Sequence, residues 1–451
     1  GSGSAGCHDL RRGRAVTEHT RLSLAPDARD GAQRGEQAPV ACRTRTRCRS
    51  CESDRLHLFL SLGPMPLANA FLRFPEEFGT EPSFPLDVYL CGDCSLVQLN
   101  HVVDPEILFR NYIYVTGTSD TIGLHNRRYA RAVRDSFDLG SEDLVVEIAS
   151  NDGSLLKCFR ELGVRTLGVE PARNIAALAR EAGIDTVEEF FDSARARAVV
   201  ADHGPAAAVI ANNVLAHVDD VRDFLLGCLR LLRPGGRLIV EVPYLGELLN
   251  RLEYDTIYHE HLCYFSVTAL MRLYEVAELS IERIERVPVH GGGLRVFARP
   301  RTECPRHGES VVRMAEREAG AGLADLARFE RFAREVRANR DALLSLLGSR
   351  RGGGRQLAGY GAPAKGNTLL NFCGIGPELL PYVVDRNPMK VGTYTPGTHI
   401  PVRPVATLAE RRPDDVLILA WNFADEIMNQ QSAYREAGGR FLVPIPQPRV
   451  V

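Results

Sequence analysis

Short apolar strands alternate with amphipathic helices in two stretches of this chain, and that alternation limits the fold more than any other feature. In the first stretch, the predicted strands cover 144–148, 165–169, 207–211 and 237–242. The predicted helices between them cover 153–162, 171–181 and 221–232. Strands that are joined through helices run parallel in one sheet, and the helices cover both of its faces.

The second stretch follows helical spacing over 309–347, which predicts one or two connector helices. Its predicted strands cover 356–359, 381–385, 415–420 and 441–444. A Gly-containing turn and a helix follow the first of these strands. The sequence therefore predicts an α/β protein that contains two Rossmann-like sheets.

The chain has 451 residues, more than one hydrophobic core usually supports, so two or three domains are expected. Residues 1–45 lack a hydrophobic period and are interpreted as a disordered leader. The expected domains after it are a small metal-binding module over 46–110, a cofactor-binding domain over 111–300 and a C-terminal α/β domain over 301–451.

A formal charge of −2 argues against binding to nucleic acid or to a membrane surface. Both are negatively charged, and a chain without excess positive charge would not attract them. No stretch approaches the roughly 18 uninterrupted apolar residues that span a bilayer. The 11 cysteines are an odd number, which disfavours a fully paired disulfide framework. We expect a soluble, cytoplasmic protein.

Two tight cysteine pairs in the small module predict a structural zinc site. Cys48 and Cys51 form the first pair, and Cys91 and Cys94 form the second, beyond residues 52–90. Two such turns can complete a closed tetrahedron of thiolates around one ion. Unpaired buried thiols are the main alternative, and a redox pair is less favoured because neither motif opens a thioredoxin-like helix.

The turn after the first strand is the expected cofactor site. A dinucleotide enzyme would place several glycines there, but only Gly153 is present, and Glu147 precedes the turn. This pattern favours S-adenosylmethionine (SAM), whose ammonium and sulfonium groups favour carboxylate neighbours. Glu170, at the end of the second strand, is predicted to bind both ribose hydroxyls. The alternative for Glu170 is a helix N-terminal charge beside Pro171.

Several motifs in one order resemble a known family over residues 46–451. Besides the cysteine pairs and the turn after the first strand, they cover 112–119, 212–217, 258–261 and 359–366. With these motifs the chain resembles the sugar C-methyltransferases of antibiotic biosynthesis, SAM-dependent enzymes that methylate C3 of dTDP-4-keto-deoxysugars, such as the tetronitrose enzyme. The chain departs from the family at Ala149 and Ser150, where a glycine is usual.

The resemblance implies roles for residues around the substrate. His261 would be the general base, a role that suits histidine because its ordinary pKa lies near working pH. Glu260 would orient His261 or bind the sugar. Tyr258, Tyr112 and His217 would donate hydrogen bonds near the keto or amino substituent. Reading His259 and His261 as metal ligands is disfavoured because no third ligand is evident at helical spacing.

The resemblance also implies a set of cofactor-binding residues, which are Glu147, Ala149, Asn151, Gly153, Glu170, Asn213, Tyr114 and Ser119. In the C-terminal domain, the helix that begins after residue 363 presents backbone N–H groups beside Lys365, which favours an anion such as a diphosphate. The substrate-binding residues expected there are Gly361, Lys365, Asn367, Tyr394 and His399. The alternative is a tight strand-to-helix turn with a surface lysine.

The resulting hypothesis is a monomeric, SAM-dependent C-methyltransferase with structural zinc. It would methylate the carbon alpha to the ketone of a dTDP-4-keto-deoxysugar, C3 being favoured, through an enolate generated by a base. The alternatives are a C5-methylating relative, an O- or N-methyltransferase, and a zinc-ribbon scaffold without catalysis.

Overall fold

A computed structural model of the chain describes residues 42–112, 116–118, 120–287 and 292–451. The N-terminal part is mainly β-structure. Its elements are β1 (Cys42–Thr44), β2 (Leu56–Met65), β3 (Phe84–Cys91), β4 (Val97–Leu99), β5 (His101–Val103) and α1 (Pro105–Phe109). Strand β1 pairs with β5, so residues that we assigned to the leader belong to the folded module.

The central domain is built on a seven-stranded sheet. Its helices are α2 (Asp120–Phe137), α3 (Ser154–Glu161), α4 (Arg173–Glu181), α5 (Ser193–His203), α6 (Val221–Leu231), α7 (Leu245–Arg251) and α8 (Val267–Val276). The strands of this part of the chain are β6 (Leu144–Ile148), β7 (Arg165–Val169), β8 (Thr186–Val187), β9 (Ala206–Asn212), β10 (Leu232–Pro243), β11 (Cys263–Tyr264), β12 (Leu279–Val287) and β13 (Gly293–Pro300).

The strand order in this sheet is β12-β13-β10-β9-β6-β7-β8. The strands from β10 to β8 run parallel, as the alternation of strands and helices predicts. Strands β12 and β13 form an antiparallel edge that the sequence analysis did not predict. An antiparallel pair needs only a short connection, so the helix-strand alternation that marks the rest of the sheet is absent there.

The C-terminal domain carries a second sheet, in the order β16-β15-β14-β17-β18-β19. Its strands are β14 (Leu357–Tyr360), β15 (Val383–Asp385), β16 (Val402–Pro404), β17 (Asp415–Ile418), β18 (Arg440–Val443) and β19 (Arg449–Val450). The helices are α9 (Glu309–Gly320), α10 (Leu326–Gly352), α11 (Ala364–Cys373), α12 (Thr407–Arg411), α13 (Ala424–Gln430) and α14 (Ser432–Glu436). The two connector helices and the four predicted strands are present, and β16 and β19 extend the sheet.

Strand β11 joins the N-terminal module to the central domain. In the sequence, β11 lies between strands of the central sheet. In the structure it pairs with β4 and completes the four-stranded sheet β11-β4-β3-β2. One hydrophobic core runs from this sheet through the central domain into the C-terminal domain, with members such as Leu86, Leu270 and Leu417. None of the described helices is long and apolar enough to cross a membrane.

Candidate functional site

A cavity of about 690 Å³ lies at the carboxyl ends of β6, β7, β9 and β10. Glu147, Glu170, Asn213 and Glu241, which lie at the ends of these strands or directly after them, line it. The carboxyl edge of an open parallel sheet is the usual ligand position because the loops that leave the strands surround a crevice there. The C-terminal domain also contributes to the lining of the cavity, through residues such as Lys365.

The turn after β6 has a backbone conformation that presents polar groups to the cavity. Ala149 and Asn151 have φ values of 54° and 51°. The N–H of Asn151 donates to a carboxylate oxygen of Glu170 at 2.9 Å, and the N–H of Ala172 donates to the other oxygen at 2.9 Å. Each carboxylate oxygen keeps a second lone pair, so Glu170 can still accept from ribose hydroxyls.

Gly153 is needed for the turn and does not itself line the cavity. Its φ is 71°, and a Cβ atom there would lie 2.9 Å from Cγ1 of Ile184. We expected Gly153 to contact the cofactor, but the structure gives it a packing role at the start of α3. Absence of a side chain permits both the left-handed backbone and the close approach.

The carboxylates around this turn make the cavity suitable for a cationic ligand. Glu147 is buried, and its Oε2 atom has no hydrogen-bond partner among the described residues. Burial raises the pKa of Glu147 well above its ordinary value, and the negative charges of Asp152, Glu170 and Glu241 raise it further. Burial also raises the pKa of Glu170. The ammonium and sulfonium groups of SAM would relieve this repulsion, so the residues fit that cofactor.

Thr116 and Gly117 approach the same turn. The N–H of Thr116 donates to Oδ1 of Asn151 at 2.9 Å, and the N–H of Gly117 donates to Oδ2 of Asp152 at 2.8 Å. Tyr114 and Ser119, which we expected to contact the cofactor, lie outside the described residues.

His261 lies on the cavity wall with its ring orientation fixed by backbone. Its Nδ1 atom is 2.8 Å from the carbonyl oxygen of Thr256, and since a carbonyl only accepts, Nδ1 carries the hydrogen. The neutral imidazole then keeps its lone pair on Nε2. The ring centroid lies 4.0 Å from that of Tyr258 and 4.9 Å from that of His217. All three side chains line the cavity.

The electrostatics of His261 differ from our expectation of a pKa near working pH. Its position deep in the protein lowers the pKa to about 4, because water cannot solvate the imidazolium well there. The same desolvation lowers the pKa of His217 well below its ordinary value, and the neighbouring His261 adds to the effect. The site therefore holds two neutral imidazoles at neutral pH.

Glu260 contacts Tyr112 and Asn69. Its Oε2 atom accepts from the hydroxyl of Tyr112 at 3.2 Å, and Oε1 accepts from the side-chain amide of Asn69 at 2.6 Å. Burial raises the pKa of Glu260 to about 7. The expectation that Glu260 orients His261 is corrected, because the carbonyl of Thr256 fills that position. Glu260 lies behind the wall, and Tyr112 and Asn69 line the cavity.

His259 points away from the cavity. It is buried, and its Nε2 atom lies 3.2 Å from the carbonyl oxygen of Phe84 in β3. The alternative of a metal site shared by His259 and His261 does not agree with this arrangement. Among the described residues, the group of side chains that could hold a metal consists of cysteines.

Two lysines face the cavity from the C-terminal domain. Lys365, at the start of α11, lies with Nζ 4.3 Å from the ring centroid of Trp421. Lys390 donates from Nζ to the carbonyl oxygen of Ala362 at 2.8 Å. Desolvation lowers the pKa of both lysines. Lys390 was not predicted from the sequence, where its only signal is a polar loop shortly before Tyr394 and His399.

Four other residues predicted to bind substrate are not among the residues that line the cavity. Asn367 donates to the carbonyl oxygen of Ala68 at 2.7 Å. The ring of His399 stacks on Phe78 at 3.9 Å. The remaining two are Tyr394, whose backbone pairs with Leu72, and Gly361, whose N–H bonds to Val384. Asn367, Tyr394 and His399 attach the C-terminal domain to the N-terminal module, although Oδ1 of Asn367 has no hydrogen-bond partner among the described residues.

The four cysteine sulfur atoms lie within 4.8 Å of one another. The Sγ atoms of Cys48 and Cys94 are 3.4 Å apart, and those of Cys51 and Cys91 are 3.6 Å apart. Sulfur atoms bound tetrahedrally at about 2.3 Å from zinc would be separated by roughly 3.8 Å. The cluster fits zinc, and because four thiolates fill the coordination shell, the ion is structural.

Three family models match consecutive parts of the chain. A family model described as "Putative zinc binding domain" matches residues 48–109. One described as "Methyltransferase domain" matches 124–284, and one described as "C-methyltransferase C-terminal domain" matches 288–446. C-methyltransferase NovU of Streptomyces niveus is 38% identical over 404 residues, which cover 90% of this chain and 96% of NovU.

Solved structures also match part of the chain. The PH0226 protein of Pyrococcus horikoshii OT3 is 15% identical with a TM-score of 0.33, covering 44% of this chain and 98% of that one. Magnesium protoporphyrin IX methyltransferase of Synechocystis PCC 6803, solved with bound SAM, is 13% identical with a TM-score of 0.30. That match covers 41% of this chain and 86% of the enzyme.

Proposed function

The chain belongs to the C-methyltransferase family that includes NovU, and from that premise we propose that it methylates a dTDP-4-keto-deoxysugar at a carbon next to the ketone. SAM and a structural zinc ion are its cofactors. C3 is the carbon that the motifs favour, and C5 is the other carbon that a 4-ketone acidifies. The observation that carries the proposal is the placement of His261, Tyr258, His217 and Tyr112 around one cavity with the carboxylate-lined turn.

His261 is the proposed base for the proton alpha to the ketone. Its Nδ1–H group is held by the carbonyl of Thr256, so Nε2 is the atom that accepts the substrate proton. A pKa of about 4 keeps the ring neutral throughout the neutral range. The carbonyl of Thr256 also favours the imidazolium that forms. A positioned base of this kind contributes roughly 10²–10⁴-fold to a rate.

Tyr112 is the proposed donor to the keto oxygen, and Glu260 controls its hydroxyl. When Glu260 is ionised, the tyrosine hydroxyl donates to it, as the 3.2 Å contact describes. When Glu260 is protonated, the carboxylic acid donates to the tyrosine oxygen, and the hydroxyl hydrogen can turn toward the cavity. One donor to a developing oxyanion contributes about 3 kcal/mol.

Lys365 and Lys390 are the proposed contacts for the substrate's diphosphate. Both lysines line the cavity from the C-terminal domain, and the carboxylates of the β6 turn line the same cavity. Binding at that remote end supplies free energy that orients the sugar toward His261. Bound SAM would be held by Glu147 and Glu170, and it supplies an electrophilic methyl group.

The experiment is incubation with SAM and a panel of dTDP-4-keto sugars, followed by mass analysis and product NMR. Methylation at C3 supports the proposal. Methylation at C5 would show that the other carbon next to the ketone is the acceptor. Methylation on oxygen or nitrogen would refute the proposed enolate mechanism.

A second measurement tests the base separately. Without SAM, wild-type protein should exchange the alpha hydrogen for solvent deuterium, and His261→Asn should lose this exchange. His203→Asn, an exposed histidine at the end of α5, is the matched control. Full exchange in His261→Asn would remove His261 from the base role.

A further inference from the structure

The strand that follows His261 belongs to the sheet of the metal-binding module. Strand β11 begins two residues after His261 and forms the edge of the sheet β11-β4-β3-β2. Cys263 lies opposite Gln98, and the N–H of Leu99 donates to the carbonyl oxygen of Leu262 at 3.0 Å. The module therefore fixes the main chain directly beside the proposed base.

The same piece of backbone reaches the turn that carries His217. The N–H of Leu262 donates to the carbonyl oxygen of Ala216 at 2.7 Å. Leu262 thus receives a hydrogen bond from β4 and gives one to the residue before His217. This path of two hydrogen bonds links the metal module to both histidines of the cavity.

Arg49 makes a second connection, from inside the first cysteine pair. Its side chain is buried, and its backbone N–H donates to Oε1 of Gln98 at 3.0 Å. Its guanidinium donates from Nε to Oδ1 of Asp219 at 3.0 Å and from Nη1 to the carbonyl oxygen of Leu99. Asp219 follows His217 by two residues and lines the cavity. One guanidinium therefore joins the metal turn, β4 and the His217 turn.

Two other arginines also contact Asp219, but they cannot replace this connection. Arg43 is largely exposed, and Arg45 lies 3.5 Å away. Exposed ion pairs contribute little because water screens them. A buried guanidinium with two fixed acceptors holds its partners in one geometry, which a lysine could not reproduce.

We propose that Arg49 is a positioning residue, which transmits the order of the zinc site to the His217–His261 pair. The inference rests on the proposed function for the importance of these histidines to catalysis. The metal-binding module would then set the geometry of the cavity as well as its own fold, in the way that groups beyond the metal ligands often extend the influence of a site.

The test uses the full chain with zinc bound and compares Arg49→Gln with Arg47→Gln. Arg47 is the exposed arginine beside the same cysteine pair, so it is the matched control. The readouts are zinc per chain, SAM affinity by calorimetry, and the ring resonances of His217 and His261 in protein with labelled histidine. The variants His217→Asn and His261→Asn assign the two signals.

We expect Arg49→Gln to keep one zinc and its SAM affinity while both histidine resonances move. Its kcat should fall by roughly 10- to 100-fold with KM little changed, because small displacements of reacting groups are costly. Arg47→Gln should match wild type in every readout. Asp219→Asn removes the negative charge that Arg49 meets, from the cavity side of the same contact, and should reproduce the resonance shifts.

Unchanged resonances in zinc-loaded Arg49→Gln and Asp219→Asn would overturn the proposal. Loss of zinc from Arg49→Gln would also overturn it, since Arg49 would then serve only metal retention. If Arg49→Gln does not fold, Asp219→Asn alone decides. The histidine resonances are recorded without substrate, so they can shift even if the protein does not act on a dTDP-4-keto sugar. A failure of this proposal is therefore distinguishable from a failure of the proposed function.

Discussion

The imidazole rings of His217 and His261 meet edge to face, with centroids 4.9 Å apart and planes at 72°. Desolvation lowers the pKa of each, so the pair is neutral when the cavity is empty. A proton gained by one ring would be opposed by any charge on the other. The two rings therefore hold at most one proton between them.

The pH dependence of kcat/KM should be bell-shaped. Activity should fall below about pH 4, where His261 gains a proton, and above about pH 7, where Glu260 loses one and Tyr112 must donate to it. Glu260→Gln should remove the alkaline fall, because the amide donates to Tyr112 at any pH. Glu161→Gln, an exposed change on α3, is the control and should keep both limbs. An alkaline limb that persists in Glu260→Gln would contradict the role of Glu260.

Glu147→Gln should weaken SAM binding and stabilise the protein without ligand. The raised pKa of Glu147 means that the folded state holds its proton more strongly than the unfolded state does. Wild-type stability should therefore decline as the pH rises above the unfolded value of about 4.3, and the glutamine variant should lack this decline. Calorimetry should show at least about tenfold weaker SAM binding, a loss of roughly 1.4 kcal/mol. An unchanged affinity would place the cationic groups of SAM elsewhere.

Lys365→Met should raise the KM for the nucleotide sugar by about tenfold or more and leave the SAM affinity unchanged. Hydrogen bonds to a charged group contribute about 1.5–3 kcal/mol, and methionine keeps the volume of the side chain without its charge. Lys157→Met, an exposed change on α3, is the control for loss of a lysine. Steady-state kinetics with both substrates checks this. A rise in the SAM KM alone would mean that Lys365 faces the cofactor instead of the diphosphate.

Gly153→Ala should destabilise the protein more than Gly163→Ala does. Both glycines have positive φ, 71° and 80°, so both variants carry the left-handed strain of about 1–2 kcal/mol. At Gly163 nothing lies within 4 Å of the new methyl group, whereas at Gly153 it meets Ile184 at 2.9 Å. The difference between the two free energies of unfolding measures the contact with Ile184. Equal losses in urea unfolding would show that Ile184 moves aside without cost.

Features that depend on neighbouring residues were predictable from the sequence. The strands Leu144–Ile148 and Arg165–Val169 have the predicted bounds, because a short apolar run between turns has few other conformations in a parallel sheet. The spacing of the cysteine pairs predicted a site whose four sulfur atoms the structure brings together. Glu147 and the turn after it indicated a ligand site at the position where the structure has the cavity, and this pattern also consists of adjacent residues.

Features that depend on long-range packing were decided only by the tertiary structure. Nothing in the sequence around Glu260 indicates that its side chain binds Asn69, which is 191 residues away. Nor does the sequence indicate that the carbonyl oxygen of Thr256 contacts Nδ1 of His261. The segment over 258–261 is irregular, so its side-chain directions follow no period that a sequence displays. The pairing of β11 with β4 and the pKa values of the histidines likewise arise from segments far apart in the chain. Desolvation is a property of the whole fold, which places these groups away from water, and not of the residue itself.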